Sequence, residues 1–407
     1  MRNGPVVKRK QNVSTKAKAV GQMFRNLSGR APAVLVLSDG AVFQGYAMGA
    51  RGQTIGEVVF NTGMTGYQEV LTDPSYKGQV VTFTSPHIGN YGVNGDDGES
   101  LQINAVGAVV RSLSRRKSNH RATMGFEEWL IDQEVVGITE VDTRALTRHL
   151  REQGVTMGMI AQGKTVEDAP ALLEELSKQP DYESVDYVEA VACEEPLRVI
   201  AAGGDPWRGA LSFEPWQEGV ERSGPEVVVI DFGVKHNILR HLLSRGMAVT
   251  LVPRDVEEKE LERINPRGIL FSNGPGDPAR LREWLPRIKR ISLRYPTMGI
   301  CLGHQLLASA FGGETFKLRY GHRGPNQPVQ DSRTGKVSIT SQNHGFSVVR
   351  ESFPEELEVT EVNLNDETVA GFRHRDHQIV AVQYHPEAGP GPADGVGFFD
   401  EFVKMLG

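Results

Sequence analysis

Apolar residues fall along this chain in two rhythms. From residue 226 onward, short continuous apolar runs alternate with stretches in which apolar residues recur every three or four positions. "EVVVIDFG", "MAVTLVP", "GILFSNGPG" and "PTMGI" belong to the first kind and predict strands buried on both faces. "VKHNILRHLLSRG", "VEEKELERINP", "ARLREWLPRIKRISLRY" and "LGHQLLASAFGG" belong to the second and predict amphipathic helices between those strands. The alternation predicts an α/β fold with a doubly wound, mostly parallel sheet. After residue 314 the pattern turns to a β meander, then "QIVAVQYHPE", then a last helix near 394–406.

The first half follows another pattern. "AVLVLSDG" (33–40) and "AVFQGYAMG" predict a hairpin about an Asp-Gly turn. To about residue 160, short strands ("EVVFNT", "QVVTFT", "AVGAVV") mix with helical patterns ("FEEWLIDQ", "TRALTRHLREQG"). Asp142 and Thr143 form a cap for the second helix and Gly154 a stop; residues 166–179 predict a third. Residues 183–225 hold scattered acids, Trp207, Trp216 and four prolines, and read as a linker with a short hairpin. The expected organisation is a basic, disordered extension at 1–30, a separate mixed α/β domain at 31–182, the linker at 183–225 and the doubly wound domain at 226–407.

Composition narrows the function classes. At 407 residues, 39% apolar and 24% charged, the chain has the length and make-up of two or three ordinary globular domains. Its net charge of −6 argues against nucleic-acid binding. Residues 1–30 hold eight Lys or Arg and no acid, so taking those eight from −6 leaves −14 on the remainder. Such a start reads as an extension, as sequence ahead of a true start at Met23, or as an organelle transit peptide. No run approaches the ~18 apolar residues of a membrane span. Cys193 and Cys301 are the only cysteines, which excludes a disulfide framework or multi-cysteine metal cage and suits a reducing compartment such as the cytoplasm, or a plastid if the start is a transit peptide.

One of those cysteines sits in "GICLGHQ". Gly299-Ile300-Cys301-Leu302-Gly303 has the form of a nucleophile elbow, a sharp strand-to-helix turn that presents a reactive side chain. A helix beginning at the sulfur favours thiolate, whereas an unperturbed thiol near 8.5 is only about 3% ionised at pH 7. The Leu302 N–H would then face a developing oxyanion. On the pentapeptide alone, a buried cysteine entering a core helix explains the pattern equally well. In "VQYHPEAGPGP", His385 and Glu387 at i and i+2 of a strand would share a face, one as base and the other as its orienting acid. "SNGPGDP" (272–278) puts Gly274 and Gly276 where bare backbone can approach a carbonyl; an ordinary Pro/Gly turn is the plainer reading. Cys193 has no His or basic cluster beside it and reads as an inert packed thiol.

"SNGPGDP", "GICLGHQLL", "QNHGF" and "QYHPEAGPGP", in that order, resemble the class I glutamine amidotransferases. The resemblance implies Cys301 as nucleophile, His385 as base and Glu387 as its acid. It implies Gly274, Gly276, Leu302, Gln305, Asn343, Gly345 and Phe346 as glutamine-pocket positions. "GEVVFNTGMTGYQEVLTDPSYKGQVV", "PHIGNYGVN" and "VDTRALTRHLRE" resemble the amino-terminal domain of carbamoyl-phosphate synthase small subunits, over roughly 33–407 in all, and imply that Ser75 reaches the glutamine. Arg323, Pro325 and Gln327, and Gly389, depart from that family's usual residues. The resemblance further implies ammonia delivery to a large subunit that binds bicarbonate, ATP and Mg²⁺, no cofactor in this chain, no nucleic-acid or membrane partner, and a product used in arginine or pyrimidine synthesis. Two other readings stay open: a stand-alone thiol hydrolase of γ-glutamyl substrates and a non-enzymatic doubly wound regulatory module.

Overall fold

The computed structural model of the chain describes residues 29–220 and 223–407. Two sheets organise it. Strands β1 (Pro32–Leu37), β2 (Val42–Gly49), β3 (Gln53–Asn61), β4 (Gln79–Phe83), β5 (Gly107–Val109), β6 (Val136–Thr139) and β7 (Thr156–Gln162) close a barrel in the order β1-β2-β6-β5-β4-β3-β7. Four helices decorate it: α1 (Tyr67–Thr72), α2 (Phe126–Asp132), α3 (Thr143–Gln153) and α4 (Ala169–Leu176). Strand alternation explains how β1 serves two layers. Leu35 and Leu37 join the core that takes in Leu146 and Leu150 of α3, while Val34 and Val36 pack on Leu172 and Leu176 of α4. The expected cap holds: an Asp142 carboxylate oxygen accepts the Ala145 N–H at 3.0 Å, and Gly154 ends α3 at φ 103°.

The second sheet has eleven strands. β8 (Leu197–Ala201) and β9 (Leu211–Pro215) form its edge hairpin. β10 (Glu226–Asp231), β11 (Ala248–Pro253), β12 (Gly268–Phe271), β13 (Thr297–Ile300) and, later in the chain, β18 (Ile379–Val382) are its parallel centre, ordered β18-β13-β12-β10-β11. β14 (Thr315–Asp331), β15 (Val337–Val348), β16 (Leu357–Asn363) and β17 (Val369–His374) are the antiparallel meander beyond β18. Every residue of β10 is buried, and its alternate side chains reach opposite cores. Val228 and Ile230 pack toward α6 (Glu258–Ile264), α7 (Leu285–Arg294) and α8 (Leu302–Ala310). Val227 and Val229 pack toward α5 (His236–Leu243) and α9 (Gly397–Met405). A two-sided core is what continuous apolar runs require.

Three expectations change. Residue Arg30, assigned to a disordered extension, is held by a bidentate pair with Glu127; residues 1–28 of that extension lie outside the described residues. The hairpin expected in the linker is β8–β9, and through β8 it pairs antiparallel with β11, so it widens the second sheet instead of merely spanning two domains. The strand expected to carry His385 and Glu387 stops at Val382. Past it the chain makes a single bridge from His385 to Ser341, because Pro386 has no N–H for a ladder.

Candidate active site

Cys301 stands between β13 and α8 with φ 53° and ψ −102°, a conformation that strains a non-glycine residue and marks functional turns. The flanking glycines make that turn possible. A Cβ on Gly303 would lie 2.1 Å from the Phe271 carbonyl oxygen, and one on Gly299 would lie 2.6 Å from Leu307. Although Cys301 is only 2% exposed, it lines a narrow cleft. Its sulfur lies 3.7 Å from the Asn343 carbonyl oxygen, and Gln383 Nε2 donates to it at 3.7 Å.

Behind the sulfur runs a buried chain of charges. His385 Nδ1 and a Glu387 oxygen are 2.7 Å apart, and Lys235 Nζ contacts that same oxygen at 2.9 Å. Lys235 also donates to the carbonyls of Ala388 and Gly389 at 2.7 and 2.9 Å. Glu387 accepts from both cations, so Nδ1 carries the proton and Nε2 is the end directed to chemistry. Nε2 has no hydrogen-bond partner among the described residues. Burial alone would drive the imidazole toward neutrality, but the charge of Glu387, then that of Cys301, overcomes it and raises His385 to about 10. Burial likewise opposes ionisation of Glu387, yet Lys235 and then His385 hold it at about 2. Lys235 was not among the candidates; in "DFGVKHNIL" it reads as an ordinary helix-leading lysine, and only the return of the chain at 387–389 gives it partners.

Both domains build the cleft. Ser75 and Asp73 come from the short turn after α1. Asn273 Nδ2 donates to the Ser75 hydroxyl at 2.9 Å, and Asn343 Nδ2 donates to Asp73 at 2.9 Å. The predicted positions Ser75, Gly274, Gly276, Gln305, Asn343, Gly345 and Phe346 all line the cleft with Cys301. Gln305 Nε2 is anchored by the Phe346 carbonyl at 2.8 Å and the Gln383 amide oxygen at 3.0 Å. Leu302 does not line it; its side chain belongs to the core. Glu57, Gln79, Tyr182, Lys317 and Arg323 line the cleft as well and were not among the predicted pocket positions, because they converge from the barrel, the turn at Tyr182–Ser184 and the meander.

The Gly276 N–H donates to the Tyr182 hydroxyl at 3.2 Å. Gly274 lies two residues earlier in the same loop. A Cβ there would meet the Phe232 carbonyl oxygen at 2.2 Å and Leu302 at 2.9 Å, so its bare backbone lies against the residue after the nucleophile. Cys301 N–H goes to Val382 and Gly303 N–H to Ser272, whereas the amides of Gly274 and Leu302 have no acceptor among the described residues. Cys193 behaves as expected of a packed thiol: its backbone N–H is bound by Asp231, and burial, with Asp231 beside it, pushes the thiol well up.

A family model described as carbamoyl-phosphate synthase small chain, CPSase domain, matches residues 35–160, and one described as glutamine amidotransferase class-I matches residues 228–405. The carbamoyl phosphate synthase small chain of Aquifex aeolicus is 48% identical over 92% of this chain and 99% of its own length. That of Synechocystis is 46% identical over 92% of this chain and 96% of its own length. The chloroplastic small chain of Oryza sativa is 44% identical over 91% of this chain and 81% of its own length. Barrel and sheet are thus each matched in the order and at the places where the structure divides, and the chain belongs to the carbamoyl-phosphate synthase small-chain family.

Proposed function

We propose that this chain is the glutamine-hydrolysing subunit of a carbamoyl-phosphate synthase. The observation that carries the reading is the buried Lys235–Glu387–His385 array ending beside a strained cysteine in a cleft that both domains line. Cys301 thiolate attacks the side-chain amide carbon of glutamine, and the resulting oxyanion is received by the N–H groups of Gly274 and Leu302. Imidazolium at His385 gives its proton to the departing ammonia, leaving a γ-glutamyl thioester. Water, losing its proton to the same imidazole, then releases glutamate and restores the thiolate. Glu387 keeps the ring in the productive tautomer, and Lys235 keeps Glu387 ionised.

Ammonia is a nucleophile only while unprotonated, so its use demands a closed route to a second site. We assign that site, with bicarbonate, ATP and Mg²⁺, to a large-subunit partner in a heterodimer serving arginine or pyrimidine synthesis. We place the chain in the cytoplasm, because its two cysteines are both free as in a reducing compartment. Among the described residues no helix is long and apolar enough to cross a membrane. The test is glutamate release from glutamine by the purified chain, alone and with a large subunit. Cys301→Ser should abolish it while leaving synthesis from added ammonium intact in the complex. Continued hydrolysis by that variant would refute the reading. Full-rate hydrolysis of γ-glutamyl peptides without a partner would favour a stand-alone thiol hydrolase instead.

A further inference from the structure

Resting on the reading of the cleft as a glutamine site, we propose that Arg323 is the residue that reads the α-carboxylate of glutamine. Arg323 belongs to β14 and pairs across the sheet with Asn343 of β15, the residue whose carbonyl oxygen is 3.7 Å from the Cys301 sulfur. Directly opposed residues in an antiparallel pair hold their Cβ atoms only about 5 Å apart. The guanidinium lines the same cleft as the nucleophile, with Nη2 3.2 Å from where a Cβ on Gly345 would stand.

The guanidinium is buried and largely unspent. Arg323 is 3% exposed, and its charge is permanent. Nη1 donates to the Tyr320 carbonyl at 2.6 Å. Nε has no hydrogen-bond partner among the described residues. Nη2 comes no nearer than 3.9 Å to Glu57, too far for a hydrogen bond. Glu57 is its nearest counter-charge but gives it no hydrogen bond: one carboxylate oxygen accepts from Lys317 Nζ at 2.8 Å and the other from Gln79 Nε2 at 2.8 Å. Lys317 is itself held by Glu57 and Glu183. Among the cations on the cleft wall, Arg323 is the one whose counter-ion is already taken. A buried guanidinium with unfilled donors is costly, and an incoming carboxylate fills them with forked, charge-assisted hydrogen bonds. The neighbouring Gly345 and Phe346 backbone can orient such a group but brings no formal charge to it.

The experiment compares glutamine with glutamine α-methyl ester, which keeps the ammonium group and the scissile amide but carries no carboxylate charge. Ammonia release is followed with the full chain in the presence of its large subunit. Wild type should prefer glutamine by about 10- to 100-fold in kcat/KM, the range expected of a charge-assisted contact. Arg323→Gln should lose that preference, glutamine falling to within about threefold of the ester while kcat/KM for the ester barely moves. Arg323→Lys should keep part of the preference, since it keeps the charge but not the fork. Equal losses on both substrates in either variant, or an undiminished preference in Arg323→Gln, would overturn the assignment and leave Arg323 a structural residue. Failure of wild type to hydrolyse glutamine at all would instead refute the reading of the site on which the assignment stands.

Discussion

Replacing Glu387 by glutamine tests the electrostatics of the site directly. The variant keeps an oxygen able to accept from His385 Nδ1, where the pair now stands at 2.7 Å, but removes the charge. His385 lies at about 10 because the charges of Glu387 and Cys301 together outweigh burial. With the first of these gone, burial, the largest single influence, outweighs Cys301, and the imidazole should fall to its ordinary value near 6.5 or below it. At pH 8 the imidazolium fraction would drop from on the order of 99% to on the order of 3% or less, a loss of about 30-fold or more in the form that protonates departing ammonia. The assay is kcat/KM for glutamate release between pH 6 and 10.5. Wild type should hold its rate until the alkaline limb near 10, and Glu387→Gln should show that limb two or more units lower. Lys235 loses its ion-pair partner in this variant, although the Ala388 and Gly389 carbonyls still accept from it. Breaking a buried pair costs about 3–5 kcal/mol, so a thermal melt must first establish that the variant is folded at the assay temperature. A folded Glu387→Gln enzyme whose alkaline limb coincides with wild type would refute the reasoning.

Ser75→Ala removes the hydroxyl that satisfies Asn273 and lines the cleft from the barrel side. KM for glutamine should rise about tenfold with kcat little changed, together with about 1–3 kcal/mol lost in denaturant melts for the unpaired amide; an unchanged KM would argue against a pocket shared between domains. Glu361 is raised to about 7, chiefly by burial. An acid whose folded value lies above its unfolded one stabilises the fold fully below about 4.5, and that contribution disappears as pH rises through about 7. Melting temperature should therefore fall between pH 5 and 7.5, and Glu361→Gln should recover up to about 3 kcal/mol of that decline; Glu69 and Glu99, also raised to about 7, supply the slope that remains. An unaltered slope in Glu361→Gln would count against the assignment.

Local physics wrote much of this protein into its sequence. A strand buried on both faces needs an unbroken apolar run, and a covering helix needs a three-four repeat, so β10 to β13 and α5 to α8 were visible as patterns. Asp142 and Gly154 bound α3 through contacts only a few residues long. The elbow was legible for the same reason, since Gly299 and Gly303 answer to sterics within one turn. His385 and Glu387 lie two residues apart, and their contact survives even though the strand meant to align them ends at Val382.

Closure of the barrel and placement of the cleft wall lay beyond that reach. Parallel neighbours such as β13 and β18 are brought together by burial and not by proximity along the chain. Lys235 meets Glu387 across more than one hundred and fifty positions, and Asp73 meets Asn343 across a domain boundary. Tyr182 takes the amide of Gly276 across more than ninety positions. The sequence by itself determined which side chain stands on the strained turn, because that turn and its glycines are a local matter. Which charges surround that sulfur, and hence what protonation state its partner holds, only the tertiary structure decided, because Coulomb energies depend on distances through space and on the exclusion of water that folding alone creates.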